Sequence, residues 1–151
     1  MDRPGLNVRD RRFRRRQRLM MPALIIIAAL AMIVWARHRE TQRLDRLRWQ
    51  FESLCALVVG GGDPTGRIRA DSPAKRDGFA ETLRTTFGAV TDAARVTVEA
   101  EAGDSSPWTD GRATHTVMIR LDGAPALGVR IAWAEGAEAE VIGYWTPPGA
   151  G

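Results

Sequence analysis

The chain has 151 residues, 44% of them hydrophobic and 26% charged, with a formal net charge of +4, which suits one modest domain plus an appendage. The charge is polarised: residues 1–18 carry eight Arg against two Asp, residues 37–52 five Arg against three acids, and residues 53–151 nine basic against thirteen acidic side chains. The C-terminal part is therefore mildly acidic, which argues against nucleic acid as a partner, and the single cysteine, Cys55, excludes an intramolecular disulfide. Lys75 is the only lysine, a bias that with abundant Ala and Gly points to a GC-rich bacterial genome.

The first element follows a basic tail, 1–18, which includes Arg14, Arg15, Arg16 and Arg18. Residues 19–36, LMMPALIIIAALAMIVWA, hold no charge. As a helix they span about 27 Å, close to the hydrocarbon thickness of a bilayer. The run is apolar all round, where a soluble helix would keep a polar stripe. Pro22 stands in the first turns, where a missing N–H costs least. Trp35 stands at the far end, at headgroup level, and Arg37 and Arg39 follow it to snorkel into that interface. A cleaved signal is the competing reading, since Val34 and Ala36 are small enough for a processing site. The apolar run is longer than a signal core, and no polar segment precedes the cut. A retained anchor is expected, with lipid as its first partner. The larger count of arginines before the span puts the N-terminus in the cytoplasm and the C-terminal domain outside, across a bacterial inner membrane.

Residues 37–59 predict a juxtamembrane amphipathic helix. Leu44, Leu47, Phe51, Leu54 and Val58 recur at steps of three and four, opposite Arg43, Arg46, Arg48, Gln50 and Glu52. The stripe reads as packing on the domain, with a short coiled coil as the alternative. Gly60–Gly62 ends the helix through a left-handed cap. Without a following Lys-Ser/Thr this glycine run does not read as a phosphate loop. Residues 63–78 read as a connector. Ser72-Pro73 is an N-cap followed by proline at the first helical position, and Phe79, Leu83, Phe87 and Val90 form the stripe of a second helix. Gly78 leaves its start open, at Pro73 or after the glycine.

From Arg95 the period becomes two. Val96, Val98, Ala100 and Ala102 alternate with Thr97, Glu99 and Glu101. Ala113, His115, Val117, Ile119 and Leu121 share a face of a second strand, and Leu127, Val129, Ile131 and Trp133 share one of a third. Asp122-Gly123 marks the turn between them. A fourth strand places Val141, Gly143 and Trp145 on one face, Ile142 and Tyr144 on the other. The expected fold is α+β: one transmembrane helix, then two helices packed on a four-stranded antiparallel meander. The domain is 60–147, its first helix supplied by 40–59, and 148–151 is a flexible tail.

Helices followed by an antiparallel meander resemble the NTF2-like (cystatin-like) superfamily over roughly residues 40–146, with one helix fewer than the family's usual three. That resemblance implies a cone-shaped cavity between sheet and helices, where His115, Trp133, Tyr144 and Trp145 are the residues of interest. Ferredoxin-like scaffold subunits of secretion and pilus machines share the basic tail, single anchor and juxtamembrane helix. They alternate αββ twice, whereas no helix is predicted between the second and third strands here.

Three functions are compatible with these elements. The first is an anchored, non-enzymatic interaction or assembly module that docks an envelope protein or a second copy of itself, with Trp108 as an exposed aromatic contact. The second is an anchored small-molecule binder. The third, an isomerase-type enzyme, needs a buried carboxylate that no inward position supplies. His115 alone on an apolar face reads first as a core histidine. No cofactor and no metal are implied.

Overall fold

The structure, a computed structural model, describes residues 8–103, 113–133 and 139–148, with side chains described from Met20 onward. The architecture is α+β. Helix α1 (Val8–Val59) is followed by α2 (Pro73–Phe87) and by strands β1 (Val96–Ala102), β2 (Ala113–Leu121), β3 (Ala124–Trp133) and β4 (Glu140–Trp145). Two compact units meet within α1, residues 1–41 and 42–151.

In the first unit α1 is already helical at Val8, inside what the sequence offered as a tail, and Pro22 lies within it. From Met20 to Trp35 the large apolar side chains are 54–67% exposed. The apolar and juxtamembrane segments form one unbroken helix, because nothing between Trp35 and Leu44 is a helix breaker.

In the second unit the strands are hydrogen-bonded in the order β1-β2-β3-β4, each pair antiparallel. Leu47, Phe51, Leu54 and Val58 of α1 are buried beside Phe79, Leu83 and Phe87 of α2, with Val98, Val117, Ile119, Leu127, Val129, Ile131 and Val141 of the sheet in the same core. The stripe therefore packs on its own domain; Leu44, at its edge, is half-buried. Gly61 takes the left-handed conformation (φ +77°) that stops the helix.

The connector is shorter than expected. Ser72 Oγ accepts the Lys75 N–H at 3.3 Å, and α2 starts at Pro73 and runs through Gly78. A Cβ at Gly78 would stand 2.6 Å from the Tyr144 hydroxyl, so the glycine serves close approach of helix and strand. Between the helices, Asp63 Oδ1 accepts the Thr65 hydroxyl (2.7 Å) and amide (3.0 Å) and Arg84 Nη2 (2.5 Å). These bonds, led by those of Thr65, pull the Asp63 carboxyl down to about 2. A depressed carboxyl stabilises the fold above its unfolded pKa of about 3.9 and loses that contribution as pH falls through about 2. Asp63→Asn is thus expected to melt below wild type at neutral pH, the two curves converging between about pH 4 and pH 2. A constant gap across that range would remove the carboxylate from the account.

The β2–β3 turn is the expected Asp-Gly pair, Asp122 at φ 52° and Gly123 at φ 81°. Arg95 ties it to the start of β1, with Nε on Asp122 Oδ1 (2.8 Å) and Nη2 on Oδ2 (2.5 Å). The inward alternation of β1, β2 and β3 is as expected. In β4 it is not. Ile131 pairs with Val141 but Arg130 with Gly143, so Ile142 is an extra, bulged residue. The bulge turns Tyr144 inward with Val141 and sends Gly143 and Trp145 to the opposite face, reversing the sequence assignment for Tyr144 and Trp145.

Candidate functional site

Two regions carry features that packing alone does not require. The first is the apolar stretch of α1. It is the one helix among the described residues that is long and apolar enough to cross a membrane, and none of that stretch is buried. A soluble core helix of the same composition would be covered. At its end the Arg39 guanidinium lies 4.9 Å from the centre of the Trp35 ring, a cation–π pair suited to an interface. Arg37 is exposed, and its carbonyl accepts the Thr41 hydroxyl at 3.0 Å. The side chains of Arg14, Arg15, Arg16 and Arg18 lie outside the described residues, although their backbone is helical.

The second region is the inward sheet face, where the sequence placed a cavity. His115 is 1% exposed and pairs across the sheet with Ala102 on β1 and Ile131 on β3. Trp133 pairs with Ala113, one diagonal step from His115. Tyr144 lies a strand further on and packs on Phe79, ring centroids 5.4 Å apart. His115 and Trp133 are thus neighbours, Tyr144 belongs to a separate aromatic group, and Trp145 is on the other face. There the Trp145 indole covers Gly128, where a Cβ would meet its ring at 2.3 Å. Trp108 lies outside the described residues.

Among the described residues, the space between the sheet and the helices around Phe51 and Phe79 is closely packed. The void bounded by Phe51, Leu54, Phe79, Ile131 and Val141 measures about 10 Å³, too small for a ligand, since ligand pockets run to hundreds of Å³. Phe51 meets Phe79 edge-on at 6.3 Å, and these rings occupy the place of the expected cone. An open cleft of about 330 Å³ runs along Ile68–Pro73, Arg76 and Glu140. Its acid Asp71 is already bonded to Lys75 (2.6 Å). Among the described residues no three His, Cys, Asp or Glu side chains group as metal ligands. Cys55 is buried, and burial, aided by Glu52, pushes its thiol up to about 12, so little thiolate exists at neutral pH.

Sequence reasoning passed over Trp49. It is 71% exposed on α1, the most exposed of the large hydrophobic residues described. Its position, two residues from both Leu47 and Phe51, takes it off the buried stripe and onto the face of Asp45, Arg46 and Glu52. An aromatic residue on a polar helix face was the available signal. No family model matches this chain, and no curated protein and no solved structure does so either.

Proposed function

We propose that the protein is a single-pass, membrane-anchored, non-enzymatic interaction or assembly module, with its α+β domain outside the cytoplasm of a bacterial cell. The observation that carries this reading is the uncovered apolar run from Met20 to Trp35 in a chain whose second unit closes its own core. Such a surface in water would cost about 25 cal/mol per Å² of apolar area, which lipid removes. The arginine-rich flank preceding it supports a cytoplasmic N-terminus and attraction to anionic headgroups, on the order of 1 kcal/mol per basic residue near the surface.

The domain supplies docking chemistry more readily than reaction chemistry. Trp49 offers a rigid aromatic contact with Arg46 one turn before it on the same helix face, and tryptophan and arginine are the side chains that dominate interface energetics. A scaffold subunit of a secretion or pilus machine is one form such a module takes. Binding of a small molecule inside the sheet has less support, because the void beside Phe51 and Phe79 is only about 10 Å³.

Affinity capture of the intact protein from membranes, wild type against Trp49→Ala, tests the reading. A specific envelope protein is expected to co-purify with wild type and to drop at least tenfold with the variant, the loss of a ~1.4 kcal/mol or larger contact. A chain that emerges alone and monomeric in both forms removes the proposal.

A further inference from the structure

The two edges of the sheet differ. Beyond β4 the edge is bridged at its start. The Val141 N–H donates to the Arg69 carbonyl at 2.8 Å, in a parallel bridge between Ala70 and Val141. Lys75 Nζ donates to the Ile142 carbonyl at 2.9 Å, the bulge at Ile142 twists the strand, and Pro147-Pro148 follow. These are the usual devices against edge-to-edge pairing. Strand β1 contains no proline, no bulge and no inward charge, and its only edge charges are the outward Glu99 and Glu101. Among the described residues nothing pairs with its outer side.

Which main-chain groups that edge offers follows from the register. The Asp122 N–H donates to the Arg95 carbonyl and the Gly103 N–H to the Thr114 carbonyl, each at 2.9 Å. Hydrogen-bonded pairs alternate along an antiparallel ladder. The odd-numbered residues of β1 therefore bond β2, and Val96, Val98, Ala100 and Ala102 turn their N–H and C=O groups outward.

Resting on the interaction-module reading, we propose that this edge takes β1 of a second copy of the chain, antiparallel, with a twofold axis at Val98. Charge and overlap together select that register, Glu99 keeping its bond to Arg120 at 2.9 Å. Centring on Glu99 or Glu101 sets a carboxylate against itself, and centring on Ala100 sets Glu99 against Glu101. Centring on Thr97 leaves only three strand residues overlapping. With Val98 on the axis, five residues overlap, Thr97 faces Glu99, and Glu101 faces Arg95 of the other copy. Arg95 has donors for it, since Nε and Nη2 serve Asp122 and Nη1 is not used there. Glu101 is exposed, and among the described residues it makes no ion pair. Pairing also covers Val96 and Ala100, half-buried along the edge.

The test uses the full chain in lipid nanodiscs or mild detergent. Thr97→Cys and Glu99→Cys chains carrying different tags are co-expressed and oxidised, the buried Cys55 being left in place. Residues directly opposite in a non-hydrogen-bonded pair stand about 4.5 Å apart at Cα, within disulfide reach, whereas diagonal neighbours stand about 7–8 Å apart. The mixed 97–99 disulfide is expected to exceed the 97–97 product at least tenfold. Ala100→Pro removes an outward N–H without touching the β2 ladder and is expected to give a folded monomer. Should that variant unfold, Glu101→Arg, which meets Arg95 in both halves of the dimer, is expected to weaken it about tenfold. Equal yields of the two disulfides, or a monomeric wild type, overturn the pairing. A monomer that still captures an envelope protein overturns this inference and spares the interaction-module reading; a monomer that captures nothing overturns both. A dimer with the 97–99 disulfide supports the pairing whatever else co-purifies.

Discussion

Replacing Phe79 by alanine is expected to cost the domain about 3–5 kcal/mol, the usual loss when a buried phenylalanine is truncated. Phe79 has no solvent exposure. Its ring meets Phe51 of α1 at 6.3 Å and Tyr144 of β4 at 5.4 Å, so one side chain joins both helices to the sheet. The neighbours cannot close the gap, because Tyr144 is held against Gly78 and the Phe51 backbone lies within the last turns of α1, fixed by its helical hydrogen bonds. Set against a total stability of about 5–15 kcal/mol, that is a large share of the margin, and the variant should unfold at a clearly lower denaturant concentration than wild type. Denaturant titration of the intact chain in detergent measures it, with the half-buried Leu44→Ala as a milder comparison. A loss below about 1 kcal/mol would mean that α1 and α2 do not share a core.

The second large effect concerns the apolar helix. Each aspartate at the centre of a membrane-spanning helix costs about 2.5–3.5 kcal/mol. Ile26→Asp together with Ile27→Asp is expected to move the chain from the alkali-washed membrane pellet to the soluble fraction. Arg48→Asp, on the second unit, should leave it in the pellet. Recovery of the double variant with the membrane, or a wild-type chain found soluble and beginning at Arg37, would be incompatible with a retained anchor.

Neither effect needs the bulge in β4, yet that bulge explains the largest misreading. Alternation is a local property of extended backbone, so Val96, Val98, His115, Val117, Leu127 and Val129 could be assigned to one face from spacing alone. A single inserted residue reverses parity beyond it, and in EVIGYW the only local mark of it is Gly143, since a glycine inside a strand often accompanies a bulge. Its place is set by what packs on either side: Val141 is drawn to the Arg69 carbonyl and Tyr144 to the Phe79 ring. The same reasoning accounts for Gly78. Read along the chain it weakens a helix; read across the fold it is the gap that admits a tyrosine hydroxyl. Of the residues offered for a cavity, His115 and Trp133 do face inward together, whereas Tyr144 packs on Phe79, and Phe51 and Phe79 leave a void of only about 10 Å³ beside Ile131 and Val141, a depth of packing that a one-dimensional stripe does not reveal.

The residues by themselves determined the uncharged helix, the polarity of charge around it, the capping of α2 at Ser72, the Asp122-Gly123 turn and the order of helices before strands. All of these depend on neighbours within a few positions, where period, capping and turn chemistry act. Only the tertiary structure decided that Phe51 and Phe79 leave so small a void beside the sheet, that Trp145 lies outside while Tyr144 lies within, that Trp49 stands uncovered, and that, among the described residues, β4 is bridged at its start while nothing pairs with the outer side of β1. Those outcomes depend on which distant side chains compete for the same space and the same main-chain groups, and that competition exists only once the chain has folded.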